Sequence, residues 1–259
     1  DIRQIRTEYP DKLITFSAEE IRKGLFIIPP LTLIYKQPNL STTILVSVLF
    51  CVLMFVGGLS WKIIGGVLAV AVPSVLVFLS IVMQEGQTLI KDYQRDRIMA
   101  FFDPATYADT EAYQQLNSVI AIGSGQLWGK GLNNTDIASV KNGNFLPESQ
   151  TDFIFAVIGE ELGFVGSAVV ILLLILIAMR CVSIARVAKD TAGMVIAAGM
   201  GSLIGIQGFM NIAVATMMMP NTGLPLPFVS YGLSSLVSMY IGIGFVLNVG
   251  LQRKNLYNL

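Results

Sequence analysis

The chain has 259 residues, 54% of them hydrophobic and only 13% charged, with a mean hydropathy of +0.68. A soluble domain carries about 25% charged residues, so a soluble globular protein is excluded and a multi-span integral membrane protein is expected. Its 17 basic and 17 acidic residues cancel without forming a basic block, which argues against nucleic acid as a partner.

Histidine is absent, and with it histidine metal sites and serine–histidine or cysteine–histidine nucleophile pairs. Cys51 and Cys181 each lie in or beside an apolar run and read as packing or lipid-facing residues. The chain starts at Asp1 with no basic-then-apolar leader, which favours a piece of a longer protein.

A polar head occupies residues 1–23. The first apolar segment, about 24–35, contains Pro29 and Pro30 and is short against the roughly 20 residues a full span needs. A second span is expected at about 40–57. After a tight connection comes a third at about 63–83, which Pro73 should kink.

Residues 84–151 form a long non-spanning region. It opens with charges among aliphatic and aromatic residues at helical spacing over 90–102, the pattern of an interfacial amphipathic helix. A glycine-rich piece follows at 123–132. A loop this long, without clear structure of its own, is usually functional.

The apolar block from Asp152 onward is too long for one span. It divides into a short re-entrant helix at about 152–162 and a full span at about 163–181, ended by Arg180, Arg186 and Lys189. A fifth span is expected at about 191–218, a proline-rich hinge at 220–227 and a last span at about 228–249. The expected fold is therefore all-α: a polytopic integral membrane helix bundle, one membrane domain over 1–259, with a long extracytoplasmic loop and a short re-entrant helix.

Basic residues orient it. Short alternate connections on one side carry eleven, against Lys36 alone on the other, so the eleven mark the cytoplasmic side. The 84–151 loop, Asp152 and the proline-rich hinge then face outward. Substrates there must be lipid-linked or exported.

Asp152 is the leading functional candidate, because a carboxylate at the entry of a membrane segment is expensive. Thr151 or Asp152 could instead cap the following helix, with Glu148 complementing its dipole. Gly123, Gly125, Gly129 and Gly131 could cradle phosphate, or simply form a flexible turn set. Gln207 and Asn211, one turn apart within apolar surroundings, read as interhelical hydrogen-bonding residues. Pro225 and Pro227 should fix a rigid re-entrant turn.

Leu146-Pro147-Glu148 with Thr151-Asp152-Phe153-Ile154-Phe155, then Gly159-Glu160-Glu161-Leu162-Gly163, resembles the SEDS family of bacterial shape, elongation, division and sporulation proteins (RodA, FtsW and SpoVE types). Gln37-Pro38-Asn39-Leu40, Gly58-Leu59-Ser60-Trp61, Arg97-Ile98 with Phe102-Asp103-Pro104, Tyr113-Gln114, and Ala121 to Gly125 with Gly129-Lys130-Gly131 follow the family order. So does Thr222-Gly223-Leu224-Pro225-Leu226-Pro227-Phe228-Val229-Ser230-Tyr231-Gly232 with Ser234-Ser235. The resemblance runs from about Ile21 to Val249 and matches the C-terminal part of a ten-span protein. Asn39 stands in place of the family's aspartate, Leu233 in place of a glycine, and Asn142 where a basic residue is common.

The resemblance implies a peptidoglycan glycosyltransferase that polymerises lipid II, releases undecaprenyl pyrophosphate and works beside a class B penicillin-binding protein. Asp152 matches the essential extracytoplasmic aspartate and would be the catalytic base. Arg97, Arg95, Lys130, Gln114, Glu148, Glu160 and Ser230 are the expected substrate-binding residues. Interfacial snorkelling is the plainer account of the arginines, and helix-pairing that of Glu160. No cofactor is certain; a divalent cation (Mg or Mn) could bridge pyrophosphate and carboxylates, although no dedicated cage is visible. A lipid II flippase or a non-enzymatic scaffold for a penicillin-binding protein would share the same fold.

Overall fold

The computed structural model describes residues 32–33, 40–58, 61–83, 92–132, 139, 146–147 and 149–252. The polar head, most of the first apolar segment, Glu148 and Lys141 lie outside the described residues. In chain order the helices are α1 (Leu40–Val56), α2 (Trp61–Val82), α3 (Asp92–Phe102), α4 (Tyr113–Ser124), α5 (Ile154–Arg186), α6 (Thr191–Ala215) and α7 (Leu233–Leu251). Among the described residues α5, α6 and α7 are long and apolar enough to cross a membrane, and Ser41–Val56 of α1 is a shorter apolar stretch.

Helices α5 and α6 form the most extensive pair, and α1 and α7 pack on α6. Little hydrophobic force drives apolar helices together in lipid, so small residues that allow close approach matter. Gly201 of α6 lies against Ala178 and Cys181 of α5. The core gathers Phe153, Phe155, Ala156, Ile204, Leu226 and Val246, so it sits where α5, α6, α7 and the proline-rich segment meet. Asp190 caps α6, its Oδ1 accepting from the Gly193 amide at 2.7 Å. Pro73 lies inside α2. Cys51 is exposed and Cys181 buried, both as free thiols.

Two expectations are corrected. The sequence pattern gives the loop no clear structure beyond its opening helix, yet residues 113–124 form α4. Its buried face is Gln115, Ser118 and Ala121, at i, i+3 and i+6. That face is polar and small, so no apolar stripe signals it. The second correction concerns the start of α5. Its N-cap is Phe153, without a side-chain cap bond, so neither Thr151 nor Asp152 holds that position.

Helix α5 changes course at Gly163, whose φ of 65° and ψ of −163° are not helical. The segment 164–186 is about 35 Å long at 1.5 Å per residue, close to the thickness of a bilayer core. Breaking a helix there strands backbone groups that lipid cannot satisfy. The glycine-rich loop supplies the missing partners. Lys130 and Gly131 donate their amides to the carbonyls of Glu160 and Glu161, at 2.9 and 3.0 Å. Phe164 and Val165 donate theirs to the carbonyls of Gln126 and Leu127, at 2.8 and 3.2 Å. This clasp bridges the break on both sides.

The clasp depends on absent side chains. A Cβ on Gly129, which has φ +79°, would lie 2.2 Å from the Glu161 carbonyl oxygen. One on Gly163 would lie 2.4 Å from the Gly129 nitrogen. Only glycine permits both the left-handed backbone and the approach.

Candidate active site

Asp152 sits immediately before α5 and is half-buried. Three consecutive carbonyls at this entry are each held by a donor from the C-terminal half of the chain. The Tyr231 amide donates to the carbonyl of Gln150 at 2.8 Å. Ser230 Oγ donates to that of Thr151 at 2.5 Å. Asn211 Nδ2 donates to that of Asp152 at 2.7 Å, and to the Leu224 carbonyl at the same distance. Carbonyls taken from water need partners, and here they come from a side chain of α6 and from the 220–232 segment rather than from a helical backbone ladder. The result is a seat that fixes the main chain carrying the carboxylate.

The proline-rich segment forms the opposite wall. Gly223 has φ +64°, and a Cβ built there would lie 3.2 Å from Asp152 Oδ2, so the carboxylate faces a wall without a side chain. Gln207 Nε2 donates to the Pro225 carbonyl at 2.8 Å, and the Leu226 amide donates to Ser230 Oγ at 2.7 Å. Phe228 takes φ 63°, rare for a residue with a side chain. Gln114 reaches this wall from α4, its Oε1 accepting from Asn221 Nδ2 at 3.0 Å.

Helix α4 also holds the end of α6. Gln115 Nε2 donates to the carbonyls of Val214 and Met219, at 3.0 and 2.8 Å, and Ser118 Oγ donates to that of Ala215 at 2.7 Å. Both side chains are almost fully buried. They cap the last turn of α6 from outside, where a helix leaves its carbonyls unsatisfied.

The expected site residues thus fall into three places. Asp152, Ser230 and Gln114 belong to the seat and its wall. Lys130 and Glu160 form a second cluster beside the clasp: Lys130 Nζ to Glu160 Oε1 is 2.7 Å, and Ser139 Oγ lies 3.4 Å from Glu160 Oε2. Glu160 is 1% exposed. The six helical steps from Ile154 to Glu160 place that cluster about 9 Å further along α5.

Arg95 and Arg97 are on α3, where Arg95 Nε donates to the Val82 carbonyl at 3.1 Å and Arg97 is exposed. The amides of Gly129 and Gly131, which a phosphate cradle would need, are already given to the carbonyls of Gly125 and Glu161. Among the described residues no group of three or more His, Cys, Asp or Glu could hold a metal ion.

Sequence reading passed over Gln115, Ser118 and the carbonyl partners of Asn211. For the first two no sequence signal exists, because the face they share is small and polar and leaves no apolar stripe. For Asn211 the signal was the amide pair one turn apart on an apolar helix.

An all-helical membrane protein with a carboxylate seated at a helix entry, against a proline-rich wall, is the class these features define. The model of the FtsW, RodA and SpoVE cell cycle proteins matches residues 10–255, and the chain belongs to that family. It is 40% identical over 232 residues to the peptidoglycan glycosyltransferase MrdB of Escherichia coli K12, covering 90% of this chain and 60% of that protein. A probable peptidoglycan glycosyltransferase FtsW of Nitrosomonas europaea is 37% identical over 225 residues, covering 86% of this chain and 55% of that one.

Among solved structures, one from a study of the structural coordination of polymerization and crosslinking by a peptidoglycan synthase complex superposes with a TM-score of 0.71. It is 28% identical, covering 98% of this chain and 68% of that one. The crystal structure of an aspartate-to-alanine mutant of Thermus thermophilus rod shape-determining protein RodA gives a TM-score of 0.57 at 25% identity, covering 98% and 63%. The chain spans 60% of the length of the MrdB relative.

Proposed function

We propose that the protein is a peptidoglycan glycosyltransferase of the bacterial cytoplasmic membrane, polymerising lipid II with Asp152 as its base. One observation carries this reading: a carboxylate whose main chain is pinned at three successive carbonyls and which faces a wall lacking a side chain. The names of the relatives support the reaction class. The synthase complex among the structural neighbours supports a cross-linking partner, a class B penicillin-binding protein. The distribution of basic residues supports an outward-facing site.

In this mechanism the Asp152 carboxylate accepts the proton of the GlcNAc 4-hydroxyl of the acceptor. The freed oxygen attacks MurNAc C1 of the donor, and the C1–oxygen bond to undecaprenyl pyrophosphate breaks. A single displacement inverts C1, and the pyrophosphate leaves with the bonding electrons. A base contributes through correct placement and protonation state. Cationic donors stabilise the leaving group.

Arg97, exposed on α3, is assigned to the pyrophosphate. Lys130, paired with Glu160, supports the site from the clasp. Arg95, Gln114 and Glu148 are assigned to substrate contact around the outward loop. The hydroxyl of Ser230 is engaged as both donor and acceptor and serves the seat.

The test is lipid II polymerisation by the full-length protein, purified with a class B penicillin-binding protein whose transpeptidase is blocked. Asp152→Asn should lower the rate by about 10²–10⁴-fold while the protein stays folded. Equal glycan from both would remove Asp152 from catalysis. No glycan from either would move the question to lipid II translocation, or to a scaffold role.

A further inference from the structure

We propose that Asn211 is a positioning residue for Asp152, acting through the main chain and touching no substrate; the inference rests on the polymerase reading above. Asn211 is 1% exposed and lies near the end of α6. Its single amide nitrogen joins two chain segments to α6, donating to the carbonyls of Asp152 and Leu224, both at 2.7 Å. The amide orientation is determined. Flipping it would turn an acceptor toward two acceptors and lose both bonds. Among the described residues its buried Oδ1 has no hydrogen-bond partner, so the donor half carries the side chain's bonding there.

The consequence is geometric. Leu224 directly follows Gly223, the residue facing Asp152 Oδ2. One side chain therefore sets the gap between the carboxylate's own backbone and the wall it faces. Reacting groups must be held within a fraction of an ångström, and a misplacement of about 1 Å can cost about 10²-fold.

Gln207 provides an internal comparison. It lies one turn earlier on the same helix and makes the same kind of bond, amide to buried carbonyl, at 2.8 Å. Its hydrogen-bond partner among the described residues is the Pro225 carbonyl, not one of the three carbonyls of the 150–152 entry. A purely structural role would make the two residues equivalent; a positioning role separates them.

The experiment measures kcat and KM for lipid II, with melting temperature, in the full-length protein and its penicillin-binding partner. Asn211→Leu keeps the branching at Cγ and removes the donors. It should lower kcat by about 100-fold with KM within about twofold of wild type. Gln207→Leu should lower kcat less than about threefold for a similar loss of melting temperature. Ser230→Ala, which removes the donor to Thr151, should fall between them.

Asn211→Asp, of the same shape, replaces Asn211→Leu if the latter gives no folded protein, with the same fall in kcat expected. Equal kcat losses for Asn211→Leu and Gln207→Leu, or a change confined to KM, would overturn the proposal. So would failure of both Asn211 variants to fold while Gln207→Leu folds. If Asp152→Asn is inactive and Asn211→Leu keeps wild-type kcat, the positioning role alone fails. If Asp152→Asn equals wild type, the base assignment fails first.

Discussion

The seat at residues 150–152 and the clasp at the Gly163 break face one problem and solve it differently. Both are irregular backbone in a protein built for lipid, where an unsatisfied amide or carbonyl is costly. At the seat, two side-chain donors, Ser230 and Asn211, and one amide, that of Tyr231, reach three carbonyls. At the clasp, backbone meets backbone four times, and the residues that matter are those without side chains. The seat should therefore lose its geometry on loss of a donor. The clasp's backbone bonds should fail on gain of a single carbon. Chemistry belongs to the first arrangement and rigidity to the second.

The largest loss is expected at Gly129. Gly129→Ala forces a Cβ to 2.2 Å from the Glu161 carbonyl at a left-handed backbone. Overpacking and the conformational penalty together should cost about 3–4 kcal/mol, read as a large fall in melting temperature and in yield of folded protein. Wild-type melting behaviour would mean the clasp is loose.

Next comes the ion pair beside it. Lys130→Met removes the cation beside the buried Glu160 carboxylate and should cost about 3 kcal/mol, much of it recovered in Lys130→Met with Glu160→Gln. Recovery of stability without recovery of polymerisation would give Lys130 a role toward substrate; recovery of both would leave it structural.

At the seat, Gly223→Ala should cost only about 1–2 kcal/mol for the left-handed backbone. It should nonetheless lower kcat about tenfold by crowding the Asp152 carboxylate, a split between rate and stability that the clasp variants would not show. Parallel loss of both would make the wall merely structural.

The smallest effect is expected at Ser118→Ala, which removes one bond to the Ala215 carbonyl and should cost about 1 kcal/mol. A melting curve with unchanged kcat checks it. A large loss of activity there would tie α4 to the reaction as well as to the end of α6.

The sequence by itself determined the membrane class, the apolar helices α1, α2, α5, α6 and α7 to within a few residues, and the carboxylate at the head of the long block. Those follow from hydropathy, helix length and the cost of charge near lipid, all local quantities. The division of that block rested on its length, and the structure bends it at Gly163. Family motifs singled out Asp152, Lys130, Glu160 and Ser230, but not what each one touches.

Only tertiary structure decided the partners. Asn211 meets Asp152 across 59 residues, Ser230 meets Thr151 across 79, and Gln114 meets Asn221 across 107. Helix α4 stayed hidden because its buried face serves carbonyls of α6 instead of filling an apolar core. The glycines of 125–131 read equally as a phosphate cradle or a turn, because φ and close approach leave no mark on composition. Which carbonyl a donor reaches depends on how helices distant in sequence are brought side by side. That is a property of the packed molecule, and no local pattern encodes it.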